Sequence, residues 1–254
     1  MASSGTAEPN YGHWVSKKII YIPLLLGLVI LPTSYLLWPS ALVSILLFSL
    51  AGYFAYARYL FSPNGSKVQS HIWDNVVSKL QWNGQGRALD IGCGNGALSI
   101  KVAKKYPQAT VTGIDYWGSK WEFSKSACEA NAKAEGVAER VEFQKASASK
   151  LPFEDGYFDA VVSNLCFHEV ADTKDKRELL REAFRVLKAG GRFAFQDLFL
   201  LKQYYGEPEE LVATIKSWGV NEVEFIETRN EPFIPSALKL PFMVGRIAII
   251  KGEK

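Results

Sequence analysis

Arg87-Ala88-Leu89-Asp90-Ile91-Gly92-Cys93-Gly94-Asn95-Gly96 is the stretch that decides how this chain folds. Ala88, Leu89 and Ile91 read as the end of a buried strand. Three alternate glycines follow, and a helical pattern runs over 97–106. Glycines at a strand-to-helix turn let the backbone approach a ligand closely. The acids around the turn sharpen the signal. Asp90 stands before the first glycine, and a second strand over 110–114 ends in Asp115. An acid about 20 residues downstream of the turn is placed to hold ribose hydroxyls. A dinucleotide site wants G-x-G-x-x-G with the pyrophosphate over a helix N-terminus. Here the order is Gly92-x-Gly94-x-Gly96-Ala97, which fits only if Ala97 counts as the third small residue. An acid ahead of the glycines also suits a ligand with a cationic amino group better than a pyrophosphate.

Outward from this turn, strands and helices alternate. Strands are expected over 88–91, 110–114, 141–144, 158–163 and 192–197, with helices over 97–106, 119–135 and 173–187. Such alternation predicts a doubly wound parallel sheet. A helix over 67–80 precedes it, with Val68, Ile72, Trp73, Val76, Val77 and Leu80 at helical spacing. Gly190-Gly191 is expected to cap the third helix. A last helix over 208–218 leads to two strands, 222–228 and 246–251.

The N-terminal quarter is different. Residues 19–38 are almost wholly apolar, and so are 41–60 up to Arg58. Each reaches the ~20 residues needed to span a hydrocarbon core. Pro39 and Ser40 alone separate them, so they read as a tight transmembrane hairpin, kinked at Pro23 and Pro32. Several tyrosines and Trp38 are candidate interfacial anchors. Lys17 and Lys18 precede the hairpin, Arg58 and Lys67 close it, and the turn is uncharged. The positive-inside rule then puts both ends, and the domain that follows, on the cytoplasmic face. A signal peptide would have a shorter apolar core and a small-residue cleavage site. A buried core hairpin and a shallow re-entrant hairpin are the other readings. The expected organisation is an N-terminal tail over 1–18 that is small, polar and disordered through Asn10, the hairpin over 19–61, a linker over 62–66 and an α/β domain over 67–254.

Composition narrows the classes. A net charge of +3 with interleaved acids and bases gives no clustered basic face, so no nucleic-acid partner is expected. Cys93, Cys128 and Cys166 show neither metal-ligand spacing nor a disulfide framework. No metal is expected.

The stretch LDIGCGNG resembles motif I of the class I S-adenosylmethionine-dependent methyltransferases, and the resemblance extends over about residues 68–254. The pattern is similar to the type 11, ubiquinone/menaquinone and sterol methyltransferase group, which is broad in substrate. The resemblance implies a Rossmann-like, mostly parallel seven-stranded sheet closed by an antiparallel pair, with S-adenosylmethionine as cofactor. It implies that Asp90, Gly92, Cys93, Gly94 and Gly96 meet the methionine end. Asp90 would orient the loop and draw the ammonium through hydrogen bonds or water. Asp115 would take the ribose hydroxyls, and Tyr116 or Trp117 would lie against the adenine. The stretch 146–153 resembles the family loop whose acid meets the adenine amino group. Here Ser147 stands in the acid's place, which puts that contact in doubt and leaves Ser147 and the Ala148 backbone as candidates. The backbone near Asn164 would pass the sulfonium, with the residues after it facing the acceptor. His168 is one of three histidines. It is read either as a general base, its ordinary pKa lying near neutrality, or as a pocket-shaping residue. Asp197, at the end of the next strand, would point toward the acceptor side, and Tyr204 and Tyr205 lie just beyond it.

The apolar, proline-rich segment 232–243 carries one lysine and lies between the last two strands. It reads either as core packing or as an interfacial lip. Together with the hairpin it points to a small, lipophilic acceptor at the bilayer, such as a lipid, quinone or isoprenoid. Two other acceptor-side readings stay open. One is a tethered enzyme of a soluble metabolite. The other is a silent binding module, supported by Ser147. A nicotinamide-dependent oxidoreductase is opposed by the glycine spacing and Asp90.

Overall fold

The computed structural model describes residues 8–118 and 123–254. The chain forms two compact units. One is His13–His71; the other combines the residues up to Gly12 with Ile72–Lys254.

The His13–His71 unit is a helical hairpin. Helix α1 (Lys18–Ile30) passes into a 3-10 turn over Leu31–Tyr35, and α2 (Pro39–Phe61) returns. One helix over 19–38 was the expectation. The α-geometry stops at Ile30 because Pro32 lacks an N–H and its ring opposes the carbonyl four residues back. Pro23 is accommodated inside α1. Pro39 is not in the turn, as expected, but is the first residue of α2, where its missing N–H costs nothing. Small residues are buried in the hairpin: Pro23 and Gly27 on α1, and Ser44, Ala51 and Ala57 on α2. A Cβ on Gly27 would stand 2.6 Å from the Phe48 ring. Close approach through small residues is the packing mode of membrane helices. The hydroxyls of Thr33, Ser34, Ser40 and Ser49 each donate to a carbonyl of their own segment at 2.6–2.8 Å. They need no water. Both segments are long and apolar enough to cross a membrane, with only 11% and 17% of their residues buried.

The second unit is a three-layer α/β domain. Helix α3 (Val68–Lys79) leads into it, with Ile72, Trp73, Val76, Val77 and Leu80 buried as the spacing predicts. Then follow β1 (Gly86–Ile91), α4 (Ala97–Lys105), β2 (Ala109–Asp115), α5 (Lys125–Ala134), β3 (Val141–Lys145), β4 (Phe158–Asn164), α6 (Arg177–Val186) and β5 (Leu187–Asp197). The short α7 (Lys202–Tyr205), α8 (Pro208–Ser217), β6 (Glu222–Glu227) and β7 (Ala248–Glu253) complete it. The sheet has seven strands in the order β3-β2-β1-β4-β5-β7-β6. Strands β1 to β5 pair in parallel, and β7 runs antiparallel to both β5 and β6. Helices cover both faces, so Ala88–Ile91 is buried without alternation. The chain order reverses between β1 and β4. In open α/β sheets the ligand crevice lies at the carboxyl ends of the strands beside such a reversal.

Three expectations are corrected. Gly190 and Gly191 do not cap a helix. The helix ends at Val186, and Leu187 is extended and pairs with Phe158. Gly190 has φ +75°, and the Gly190–Gly191 backbone exchanges hydrogen bonds with Lys254 at 2.6 and 3.0 Å. The glycines let an irregular strand approach the last residue of the chain. The last strand starts two residues later than expected, because residues 244–247 form a turn. The tail expected to be disordered through Asn10 is held at its end: Asn10 donates to Asn131 Oδ1 at 2.7 Å and accepts from Asn131 Nδ2 at 2.9 Å. Residues 1–7 of that tail, and 119–122 of the helix expected over 119–135, lie outside the described residues. That helix is seen from Lys125, capped by the Ser124 hydroxyl.

Candidate functional site

Four strand ends converge at the crevice. The first is β1 with its glycine turn. Gly92 and Cys93 both donate to the Ile114 carbonyl, at 2.8 and 2.9 Å, which folds the turn onto β2. Gly92 has φ +78°, and a Cβ there would stand 2.4 Å from Cys166 Sγ. Gly96 has φ +82° and starts α4, with the Phe143 ring 2.9 Å from where its Cβ would be. Only glycine meets both demands. Cys93 is a buried thiol, its pKa held up by that burial.

Asp90 is fully buried. Its Oδ2 accepts from Ser99 Oγ at 2.5 Å, while its buried Oδ1 has no partner. Burial pushes its pKa up to about 7, against the Ser99 hydrogen bond and with the help of the Asp115 charge. An unpaired carboxylate oxygen in such a place is costly unless a donor arrives. A cationic amino group is the donor that suits it.

Asp115, half-buried at the end of β2, anchors the turn. Its Oδ2 accepts from Gly94 N–H at 2.9 Å and its Oδ1 from Trp117 N–H at 2.8 Å. Burial raises its pKa, against those N–H groups. Each oxygen keeps a lone pair for a hydroxyl. Tyr116 and Trp117 part company. The Trp117 indole N–H donates to the Gly94 carbonyl at 2.9 Å, fixing its ring on the glycine turn. Tyr116 is 65% exposed, with Lys145 Nζ 5.0 Å from its ring centre.

The third strand end brings Ser147 and Ala148. Ala146 N–H donates to the Asp115 carbonyl at 3.1 Å, so this loop abuts β2. The hydroxyls of Ser147 and Ser149 both reach Asp172 Oδ2, at 3.2 and 2.7 Å. Those hydroxyls lower the pKa of Asp172. A carboxylate therefore does stand beside Ser147, delivered from the loop after β4. Sequence reasoning missed it, because 25 residues separate the two.

The fourth group lies at the ends of β4 and β5. Ser163 Oγ donates to the Ile91 carbonyl at 2.8 Å, tying β4 to β1. Asn164 Oδ1 accepts from Gln196 Nε2 at 3.2 Å. His168 and Asp197 form a dyad, with Nδ1 2.6 Å from Oδ1. Asp197 is fully buried and also accepts the N–H of Phe167 at 2.8 Å and of Leu198 at 2.6 Å. His168 Nε2 lies 3.5 Å from Glu169 Oε1. Burial pulls the His168 pKa down, but the charge and hydrogen bond of Asp197, helped by Glu169, outweigh it and hold it at about 10. His168 is thus an imidazolium at neutral pH. The sequence put both residues on the acceptor side without pairing them. The pairing was readable, since β4 and β5 are neighbours and Asn164 stands opposite Gln196. Tyr205 is buried in the core against Phe199, not open to the crevice; Tyr204 is half-buried.

Residues 89–195 match the methyltransferase domain family. The ubiquinone/menaquinone biosynthesis C-methyltransferase of Geotalea daltonii is 32% identical over 118 residues, 46% of this chain and 47% of that protein. The chain spans about half the length of the curated relatives it matches. Among solved structures, the cyclase SpnF aligns with a TM-score of 0.55 and 20% identity, covering 73% of this chain and 81% of that one. Geranyl diphosphate C-methyltransferase from Streptomyces coelicolor A3(2), solved with S-adenosyl-L-homocysteine, aligns with a TM-score of 0.55 and 14% identity, covering 77% and 86%. Both show a shared fold. The matched residues 89–195 and these relatives support an S-adenosylmethionine-dependent methyltransferase domain, carried on a Rossmann-like sheet.

Proposed function

We propose that the chain is a membrane-anchored methyltransferase that moves a methyl group from S-adenosylmethionine to a small, lipophilic acceptor. One observation carries the cofactor assignment: a turn in which neither Gly92 nor Gly96 has room for a Cβ follows a buried carboxylate, Asp90, with an unpaired oxygen. Lipophilicity of the acceptor is supported by the quinone-type relative and by the two helices of membrane-spanning length. The turn 92–96 would cradle the methionine end, and Asp90 would receive its ammonium directly or through water. Asp115 would take the ribose hydroxyls on its remaining lone pairs. Tyr116 is the free ring for the adenine, with Ser147 and the Ala148 backbone at its edge. Asn164 would border the reacting centre. When bound, the cofactor supplies a methyl group already activated on a sulfonium, so the protein's work is positioning.

His168 would act on the acceptor. As an imidazolium it holds an acceptor oxygen as its anion, Nε2 donating in place of its contact with Glu169. Asp197 is a positioning residue, fixing the ring through Nδ1 and keeping it charged. In this role His168 is an electrostatic clamp; a general base would need its neutral form. The hairpin would cross the bilayer with Lys17, Lys18, Arg58 and Lys67 on the cytoplasmic side, beside the catalytic domain over 67–254.

Calorimetric titration of the full chain in detergent with S-adenosylmethionine and with NADH tests the cofactor assignment. Binding of the first only, weakened at least tenfold by Asp115→Asn, is expected. Binding of NADH instead would revive the oxidoreductase reading, and binding of neither would favour a silent module.

A further inference from the structure

The segment joining β6 to β7 has two faces. Ile234, Leu238 and Val244 are buried. Leu240 and Phe242, between them, are 37% and 64% exposed. Outside the His13–His71 unit, these and Tyr116 are the exposed large apolar side chains among the described residues. Tyr116 stands at the end of β2, and Leu240 and Phe242 present their apolar surface on the segment between β6 and β7.

The backbone around this pair is built to hold it out. Val244 N–H donates to the Leu238 carbonyl at 3.1 Å, and Met243 and Gly245 N–H both donate to the Leu240 carbonyl at 2.9 and 3.1 Å. A Cβ on Gly245 would stand 2.3 Å from the Lys239 carbonyl, so the loop closes only because Gly245 has none. The tip is ordered before anything binds it. Inserting it elsewhere then costs little conformational entropy. The tip also has a fixed place. Leu200 N–H donates to the Arg246 carbonyl at 3.1 Å, and Arg246 Nη1 donates back to the Leu200 carbonyl at 3.4 Å. Leu200 is three residues beyond Asp197, so the segment borders the end of the sheet that carries the His168–Asp197 dyad.

We propose that residues 239–243 are a membrane-dipping lip beside the acceptor entrance, seated in the headgroup and upper acyl region of a bilayer. The proposal rests on the membrane-anchored reading above. A lipid surface suits the lip better than a protein partner. Two large apolar side chains on a convex tip fall far short of the about 800 Å² per partner of a standard protein interface. Residues 232–246 hold Lys239 and Arg246 and no acid, a balance suited to anionic headgroups. Leu and Phe between such cations is the pattern of an interfacial anchor. A lipophilic acceptor would then reach the dyad without crossing open water.

The full chain, reconstituted in phosphatidylcholine/phosphatidylserine vesicles carrying doxyl-labelled acyl chains, tests this. A polarity-sensitive thiol probe is placed in separate variants at Phe242→Cys, at Leu37→Cys in the hairpin turn, and at Gln85→Cys near the amino end of β1. Wild type treated with the probe corrects for Cys166. Quenching and a blue-shifted emission at 242 and 37 but not at 85 is expected, with the 242 signal at least halved by adding Leu240→Asp. Quenching at 37 alone would overturn the lip and leave the anchor standing. Quenching at neither 37 nor 242 would overturn the anchored reading, and the lip with it. Equal quenching at 85 and 242 would mean non-specific adsorption and would also overturn the lip.

Discussion

Asp197→Asn is the perturbation whose outcome follows most directly from the geometry. Asp197 accepts the N–H groups of Phe167 and Leu198 and the Nδ1 of His168, all within 2.8 Å, from a fully buried position. Burial of His168 opposes its charge, and Asp197 together with Glu169 outweighs that burial, lifting the pKa from 6.5 to about 10. An asparagine removes the negative charge and leaves the burial. The His168 pKa should then fall well below about 10, with only Glu169 left to oppose the burial, and each pH unit of that fall is ~1.4 kcal/mol in the preference for the cation. The sign follows from linkage. A raised histidine pKa contributes stability that is fully present below about 6.5 and is lost as pH rises through about 10. Wild type should therefore weaken between pH 7 and 10, and the variant should not. His13 is pulled below its ordinary value by burial and by Arg58 and Lys17, so its ring signal separates from that of His168. An NMR titration of the imidazole Cε1–H groups in detergent is the assay. Methyl transfer at pH 7.5 should fall about a hundredfold or more with the loss of the clamp. A wild-type His168 titrating near 6.5, or one unmoved by Asp197→Asn, would refute the dyad.

Other consequences follow. Asp90 keeps its proton to about pH 7 when folded and releases it near 3.8 when unfolded, so its cost grows between those values and is constant above. Asp90→Asn should therefore raise the apo melting temperature at pH 8 and leave it unchanged at pH 3, while weakening S-adenosylmethionine binding at least tenfold by calorimetry. Gly92→Ala meets both a positive φ and the Cys166 sulfur, and should destabilise by about 2–4 kcal/mol in denaturant titration. Adding Cys166→Gly should recover only the steric part. Trp117→Phe removes the indole donor to the Gly94 carbonyl and should weaken cofactor binding about threefold to tenfold. Tyr11 and Trp73 pack edge to face at 5.7 Å and bring the two ends of the excursion together. Replacing residues 13–66 by a short glycine–serine linker should give a protein soluble without detergent that still binds the cofactor.

The fold was legible because its signals are local. The buried run 88–91, the glycines at fixed spacing and the alternation of strands and helices each reflect a few neighbouring residues. Seven strands were found where seven were expected, with ends moved by one or two residues except in β5, which starts five residues earlier, at Leu187. The failures have a common cause. Gly190 and Gly191 look like a helix cap in isolation, but tertiary pairing with Phe158 and Lys254 makes them a strand irregularity. Asn10 looks like tail, but Asn131 lies 121 residues away in sequence and binds it at both backbone groups. At the site, Asp90, the glycines and Asp115 were read from spacing because one strand–turn–helix–strand unit carries them. Asp172 beside Ser147, and Asp197 beside His168, were not. Those contacts join loops from different strands, and only the order of the sheet brings them together.

Methyl transfer to a lipophilic acceptor is tested most directly by following the methyl group. The reconstituted chain is incubated with methyl-labelled S-adenosylmethionine and host membrane extract, then partitioned between organic and aqueous phases, with Asp90→Asn alongside. Label in the organic phase, lost in the variant, is predicted. Label confined to the aqueous phase would contradict the lipophilic acceptor and leave the hairpin as a simple tether.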